Sequence, residues 1–236
     1  MSTKVFLSTQ PEPVDPEDAR ISVFDRGFLY GDSVYETMRT AGGHPLELER
    51  HLQRLRRSGD GIGLSIPFDD GQLEDSIERT HAASGNDESY VRLVVTRGAG
   101  QVMLDPRHSE DPLLVIIVKP LELPSEQAYE RGLAAVIVGI TKNAGTSIDP
   151  TIKSGNYLNN ILALRQAIAA GGDDAIMCNP EGAVSEGATS NVFMVTDGKL
   201  LTPNMRTGLL PGITRQSVCE LAQALGCPVE ETSILP

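Results

Sequence analysis

The chain is short of positive charge. Among its 236 residues, 32 are Asp or Glu and 20 are Lys or Arg, giving a formal net charge of -12. No basic stripe offsets phosphate repulsion over a long surface, which excludes nucleic acid as a partner but leaves small anions free to bind at local cations. Cysteine is scarce as well. Cys178, Cys219 and Cys227 are odd in number and lack a CxxC spacing, so a disulfide scaffold and a zinc site are both excluded and thiols in a reducing compartment are expected. His44, His51, His81 and His108 are scattered, and no metal-ligand constellation is visible. Long apolar runs are missing too. The longest uncharged one, residues 132–140, is too short to cross a bilayer, and Met1-Ser2-Thr3-Lys4 does not open a secretory signal. The expected location is the cytoplasm, with no membrane partner.

What is present describes an ordinary globule, 40% hydrophobic and 22% charged, with enough chain for one large domain or two small ones. The first half reads as a small α+β unit. Residues 34–40 form a strand ended by Ala41-Gly42-Gly43. From Leu48, the residues Leu52 and Leu55 recur at helical spacing up to Ser58-Gly59. A second helix covers 71–83, and 90–96 is a strand with Val91, Leu93 and Val95 on one face. The continuous apolar run 113–118 reads as a central buried strand. Prolines 120 and 124 interrupt both periodicities, so the domains are expected at 1–119 and 131–236, with a linker at 120–130. The second half alternates strands with helices: a strand over 134–140, a helix over 156–170, a strand over 175–178, and a hairpin joining 191–195 to 199–202 through Asp197-Gly198.

Four segments offer chemistry. Lys153, in the loop Thr151-Ile152-Lys153-Ser154-Gly155-Asn156-Tyr157, stands just before a helix that fixes the loop, where a half-buried pocket can depress its pKa. Leu210-Pro211-Gly212-Ile213-Thr214-Arg215 opens a helix whose unpaired first amides, at Ile213 and Thr214, suit a phosphate. Arg54, on the helix that begins near Leu48, has a guanidinium able to meet such an anion in a bidentate geometry, within the densest cation cluster, Arg50 to Arg57. Glu186, in the small-residue turn Val184-Ser185-Glu186-Gly187, would keep a pyridine nitrogen protonated if it faced one, the competing reading being a solvent-facing turn glutamate. Tyr157, four residues after Lys153, has a hydroxyl that can hold a phenolic oxygen.

In order and spacing, His-Leu-Gln-Arg-Leu, Lys-Ser-Gly-Asn-Tyr, Ser-Glu-Gly-Ala-Thr-Ser-Asn and Pro-Gly-Ile-Thr-Arg together resemble the class IV pyridoxal-phosphate aminotransferases. The resemblance runs from about Asp25 to the end of the chain. It implies an α+β, two-domain fold of the D-amino-acid aminotransferase-like kind (fold type IV): a small N-terminal domain, a larger pseudo-barrel C-terminal domain, and pyridoxal 5'-phosphate between them. A homodimer is implied with it. Lys153 matches the lysine that bonds the cofactor and carries catalysis, and Arg54, Ile213 and Thr214 match its phosphate ligands. Glu186 matches the partner of the pyridine nitrogen, and Tyr157 a tyrosine on the phenolic oxygen. Tyr30, Tyr35, Tyr90 and Arg92 fall where branched-chain enzymes place substrate-pocket groups. The implied reaction is transfer of an amino group between a branched-chain L-amino acid and a 2-oxo acid. D-amino-acid transamination, aminodeoxychorismate lyase activity and a noncatalytic cofactor-binding role are the alternatives, the last on the expectation that the large domain lacks the family's C-terminal segment.

Overall fold

The structure is a computed structural model that describes residues 1–109 and 111–236. The chain divides into two compact units, one of 1–123 with 153–156, the other of 124–152 with 157–236.

The first unit is built on a five-stranded antiparallel sheet. Its strands are β1 (Lys4–Leu7), β2 (Ser33–Ala41), β3 (His44–Pro45), β4 (Ser89–Thr96) and β5 (Leu113–Pro120), in the order β1-β5-β4-β2-β3. Short helix α1 (Arg26–Tyr30) precedes β2, and α2 (Leu48–Gly61) and α3 (Asp70–Ser84) lie between β3 and β4. The reason for one-sided packing is legible in the residues. Val91, Leu93 and Val95 alternate along β4 and are fully buried, as are Leu114, Ile116 and Val118 on β5 to within 1%, because side chains two apart share a face. Against that face α2 sets Leu52 and Leu55, and α3 sets Leu73 and Ile77. Each such side chain contributes about 1.5–3 kcal/mol through removal from water. A reciprocal cap starts α3: Asp69 accepts from the Gln72 N–H at 2.8 Å, and the Gln72 side chain accepts from the Asp69 N–H at 2.9 Å. The apolar run of β5 does not make a strand buried on both faces. Its residues alternate between buried and half-buried, because helices cover only one side of an antiparallel sheet.

The second unit holds two three-stranded sheets. One is β6 (Ala135–Ile137), β7 (Asp174–Cys178) and β8 (Val184–Gly187) in that order; the other is β11 (Val229–Thr232), β10 (Lys199–Pro203) and β9 (Met194–Thr196). Helices α4 (Glu126–Arg131), α5 (Leu158–Ala169) and α6 (Ile213–Ala224) complete it. Ala163 and Ala167 of α5 pack on Ala175 and Met177 of β7. The β9–β10 hairpin turns at Asp197 (φ 49°) and Gly198 (φ 71°), the left-handed pair that a two-residue hairpin loop requires. Strand β6 is shorter than the apolar run predicts. Beyond Ile137 the chain still follows β7, through Val138 N–H to Ile176 O at 3.1 Å and Lys142 N–H to Cys178 O at 2.8 Å, but it bonds too sparsely to form a ladder. Among the described residues no helix is long and apolar enough to cross a membrane.

Candidate active site

In the first unit, helix α2 organises the polar groups. His51, Arg54 and Ser58 recur three and four residues apart, so they share one stripe of the helix, and all three are buried. Glu36, fully buried on β2, accepts from Arg54 Nε and Nη2, each at 2.7 Å, and lies 2.7 Å from His51 Nδ1. Burial pushes the Glu36 carboxyl up, but hydrogen bonds from Arg54 and then His51, with their charge, outweigh it and hold the group below the ordinary carboxylate range. The bidentate face of Arg54, expected to meet an anion, is therefore turned to Glu36. The cation cluster around it is also not a single positive patch: Arg56 pairs with Asp70 at 2.7 Å and Arg50 with Glu47 at 3.2 Å.

Ser58, one turn beyond Arg54, reaches the lysine loop. Its Oγ accepts the Lys153 N–H at 3.1 Å, the Lys153 carbonyl accepts from Tyr35 N–H at 3.0 Å, and the Gly155 N–H meets Ser33 O at 2.9 Å. Residues 153–155 thus lie as a short extra strand on the edge of β2, with Val34 and Ser154 bridged antiparallel. A Cβ at position 155 would stand 2.4 Å from Ser33 Oγ, so only glycine lets the loop come this close. Lys153 is 9% exposed, and its Nζ sits 4.5 Å from the centre of the Tyr35 ring. The same ring carries the Arg92 guanidinium at 4.0 Å. Tyr90, two residues from Arg92 and so on its side of β4, lies under the Lys119 ammonium at 5.3 Å. Tyr30, at the end of α1, has its ring 5.1 Å from the buried Arg26 guanidinium.

In the second unit, Glu186 is not in a solvent-facing turn. It belongs to β8, opposite Met177, and is 6% exposed. Its Oε2 accepts the Leu210 N–H at 2.9 Å, and its Oε1 meets the Lys142 ammonium. Leu210 stands three residues before Ile213, so the same peptide ties Glu186 to the start of α6. That start has Gly212 as its N-cap with no side-chain cap, and the amides of Ile213 and Thr214 open the helix. A Cβ on Gly212 would fall 1.8 Å from Asn191 Oδ1, while Asn191 Nδ2 donates to Leu210 O at 3.1 Å. Tyr157 is half-buried and serves as the N-cap of α5, one residue before the helix proper.

Residues 33–236 match the family described as amino-transferase class IV. The chain belongs to the class IV aminotransferases. It is 38% identical over 218 residues to a putative branched-chain-amino-acid aminotransferase of Methanocaldococcus jannaschii, covering 92% of this chain and 75% of that one. It is 31% identical over 232 residues to a D-alanine aminotransferase of Staphylococcus epidermidis, with 97% and 79% covered. A T.th. branched-chain amino acid aminotransferase solved with pyridoxamine 5'-phosphate superposes at TM-score 0.92, 27% identical over 100% of this chain and 78% of that one. The fold is thus the α+β fold of the fold-type IV enzymes, and class IV aminotransferases work with pyridoxal phosphate.

The residues present fit that cofactor unit by unit. The second unit offers a buried carboxylate beside a helix start that no side chain caps, and the first offers a buried amine on a pinned loop. Three groups that hold these candidate residues escaped the sequence reading: Glu36 against Arg54, Ser58 against Lys153 and Lys142 against Glu186. Glu36 alone carried a signal, since it shares the register of Val34 and Met38, and a charge on the apolar face of a strand announces a buried partner. Among the described residues, no group of three or more His, Cys, Asp or Glu side chains is placed to hold a metal ion.

Proposed function

We propose that this chain is a pyridoxal-phosphate-dependent transaminase that moves an amino group between a branched-chain L-amino acid and a 2-oxo acid. The observation that carries the reading is Lys153: a buried amine on a loop whose backbone is held by three hydrogen bonds, one to the Ser58 side chain and two to the Tyr35 and Ser33 backbone. When bound, pyridoxal phosphate supplies an electron sink for negative charge at the substrate α-carbon. Lys153 would anchor it, and its Nζ would take the proton from that carbon and hand it to the cofactor's own carbon, then move a proton in the opposite direction when the second 2-oxo acid is aminated. Glu186 keeps the ring nitrogen protonated. The amides of Ile213 and Thr214 bind the phosphate at the positive end of α6, Arg54 adds charge in an orientation set by Glu36, and Tyr157 holds the phenolic oxygen. Tyr30, Tyr35, Tyr90 and Arg92 line the substrate side.

The branched-chain preference rests on the M. jannaschii relative, and the D-alanine relative supports a second reading, a D-amino acid as donor. A homodimer suits an exposed apolar surface on the first unit. Phe24 (52% exposed), Phe28 (66%), Val102 (67%) and Leu104 (78%) belong to two segments joined by Gly100 N–H to Phe24 O and by Arg26 to the carbonyls of Met103 and Leu104. Apolar groups gathered this way mark an association surface. The three free thiols suit a cytoplasmic location.

The test is a panel of amino donors in both enantiomers, with and without an added 2-oxo acid, scored by 2-oxo acid formation. Branched-chain L-donors are expected to lead. Lys153→Ala is expected to abolish turnover and borohydride trapping of the cofactor while noncovalent binding persists. Wild-type turnover by that variant would remove Lys153 from the mechanism. A panel led by D-donors would replace the first reading with the second.

A further inference from the structure

Lys142 lies outside every motif that carries the family likeness. Its backbone N–H on Cys178 O places it along the β6 side of β7, while β8 with Glu186 runs along the other side. From there its ammonium meets Glu186 Oε1, and the Leu210 N–H takes Oε2. The lysine side chain is 13% exposed and the glutamate 7%. Stability alone is a weak reason for such a pair, because desolvating two charges costs about as much as their attraction returns, and well-packed apolar residues do as well. Its geometry suggests another use. A carboxylate has about four lone-pair sites on two oxygens, so one donor on each oxygen fixes its rotation and still leaves room for a third.

We propose that Lys142 is a positioning residue for the cofactor ring: its ammonium fixes the rotation of Glu186, so that the carboxylate faces a bound pyridine and the proton the two share rests on the ring nitrogen. The inference rests on Glu186 facing that nitrogen. Without the lysine, the carboxylate keeps only the Leu210 N–H of these two donors, its rotation is no longer fixed, and it no longer holds the proton on the ring.

The experiment loads wild-type protein, Lys142→Met, Lys142→Arg and Glu186→Gln with pyridoxal phosphate carrying nitrogen-15 in its ring. It reads the ring-nitrogen chemical shift near neutral pH and, separately, the cofactor Kd by fluorescence titration. The wild type is expected to show a protonated ring. Lys142→Met is expected to move the shift toward the unprotonated value and weaken cofactor binding on the order of tenfold, the scale of one charge-assisted hydrogen bond. Lys142→Arg is expected to restore both. Lys142→Gln, which keeps a donor but no charge, carries the same test of the shift if the methionine variant does not fold. A folded uncharged variant with the wild-type shift and Kd would overturn the role of Lys142, provided Glu186→Gln loses the protonated signal. A Glu186→Gln protein that retains that signal would instead overturn the Glu186 reading, and the inference with it.

Discussion

Replacing Glu36 with glutamine tests how the first unit holds its arginine. Glutamine keeps the size of the side chain, removes the charge, and leaves one acceptor oxygen where the carboxylate had two. Glu36 is 0% exposed, Arg54 6% and His51 10% by side chain, and three donor atoms stand 2.7 Å from the carboxylate. Removing one partner of a buried ion pair costs about 3–5 kcal/mol, because the charge left behind has no compensation. The oxygen that remains keeps one contact, which favours the low end. Near neutral pH the expected loss is therefore about 3 kcal/mol, or a fall in Tm of roughly 10 °C for a chain this size. The pH dependence sharpens the test. The folded pKa of Glu36 lies below its unfolded value of about 4.3, so its stabilisation is complete above roughly pH 5 and is lost as the pH falls through the folded value. Wild type and Glu36→Gln should differ most near neutrality and converge in acid. Urea denaturation across that range, followed by hydrogen exchange of the β2 and α2 amides to assign the loss to the first unit, measures it. A Glu36→Gln protein within about 0.5 kcal/mol of wild type, or a gap that widens in acid, would refute the reasoning.

Ser58→Ala removes the acceptor of the Lys153 N–H; it should cost about 1 kcal/mol of stability, and turnover should fall more than donor KM rises, as steady-state kinetics would show. An unchanged turnover number would mean that the Tyr35 and Ser33 bonds suffice to hold the loop. Gly212→Ala places a methyl against Asn191 Oδ1, so Asn191 must leave Leu210 and the start of α6 must shift. Cofactor Kd, titrated by fluorescence, should then rise on the order of tenfold, about 1.4 kcal/mol. Wild-type affinity would show that this start takes no part in binding.

Much of the fold was legible because its periodicities are clean. Val91, Leu93 and Val95 declare a one-sided strand, Leu52 and Leu55 a helix face, and Asp197-Gly198 a hairpin turn. Where the reading failed, the missing information was the neighbour. The apolar run of β5 looks the same whether helices cover one side of the sheet or both, and the stretch 134–140 cannot disclose that its chain bonds to β7 only intermittently past Ile137. Glu186, flanked by small residues, reads as a turn until β7 lies beside it.

The sequence by itself determined the family, through four short motifs whose residue types and order survive without knowledge of their neighbours, and it pointed to the lysine, the carboxylate and the helix start as candidates. Only tertiary structure decided what holds each of these. Ser58 is distant in sequence from Lys153, Glu36 from Arg54, and Lys142 from Glu186. Local propensity says nothing about partners so far apart along the chain, because those contacts exist only once sheet register and helix packing have brought the backbones together.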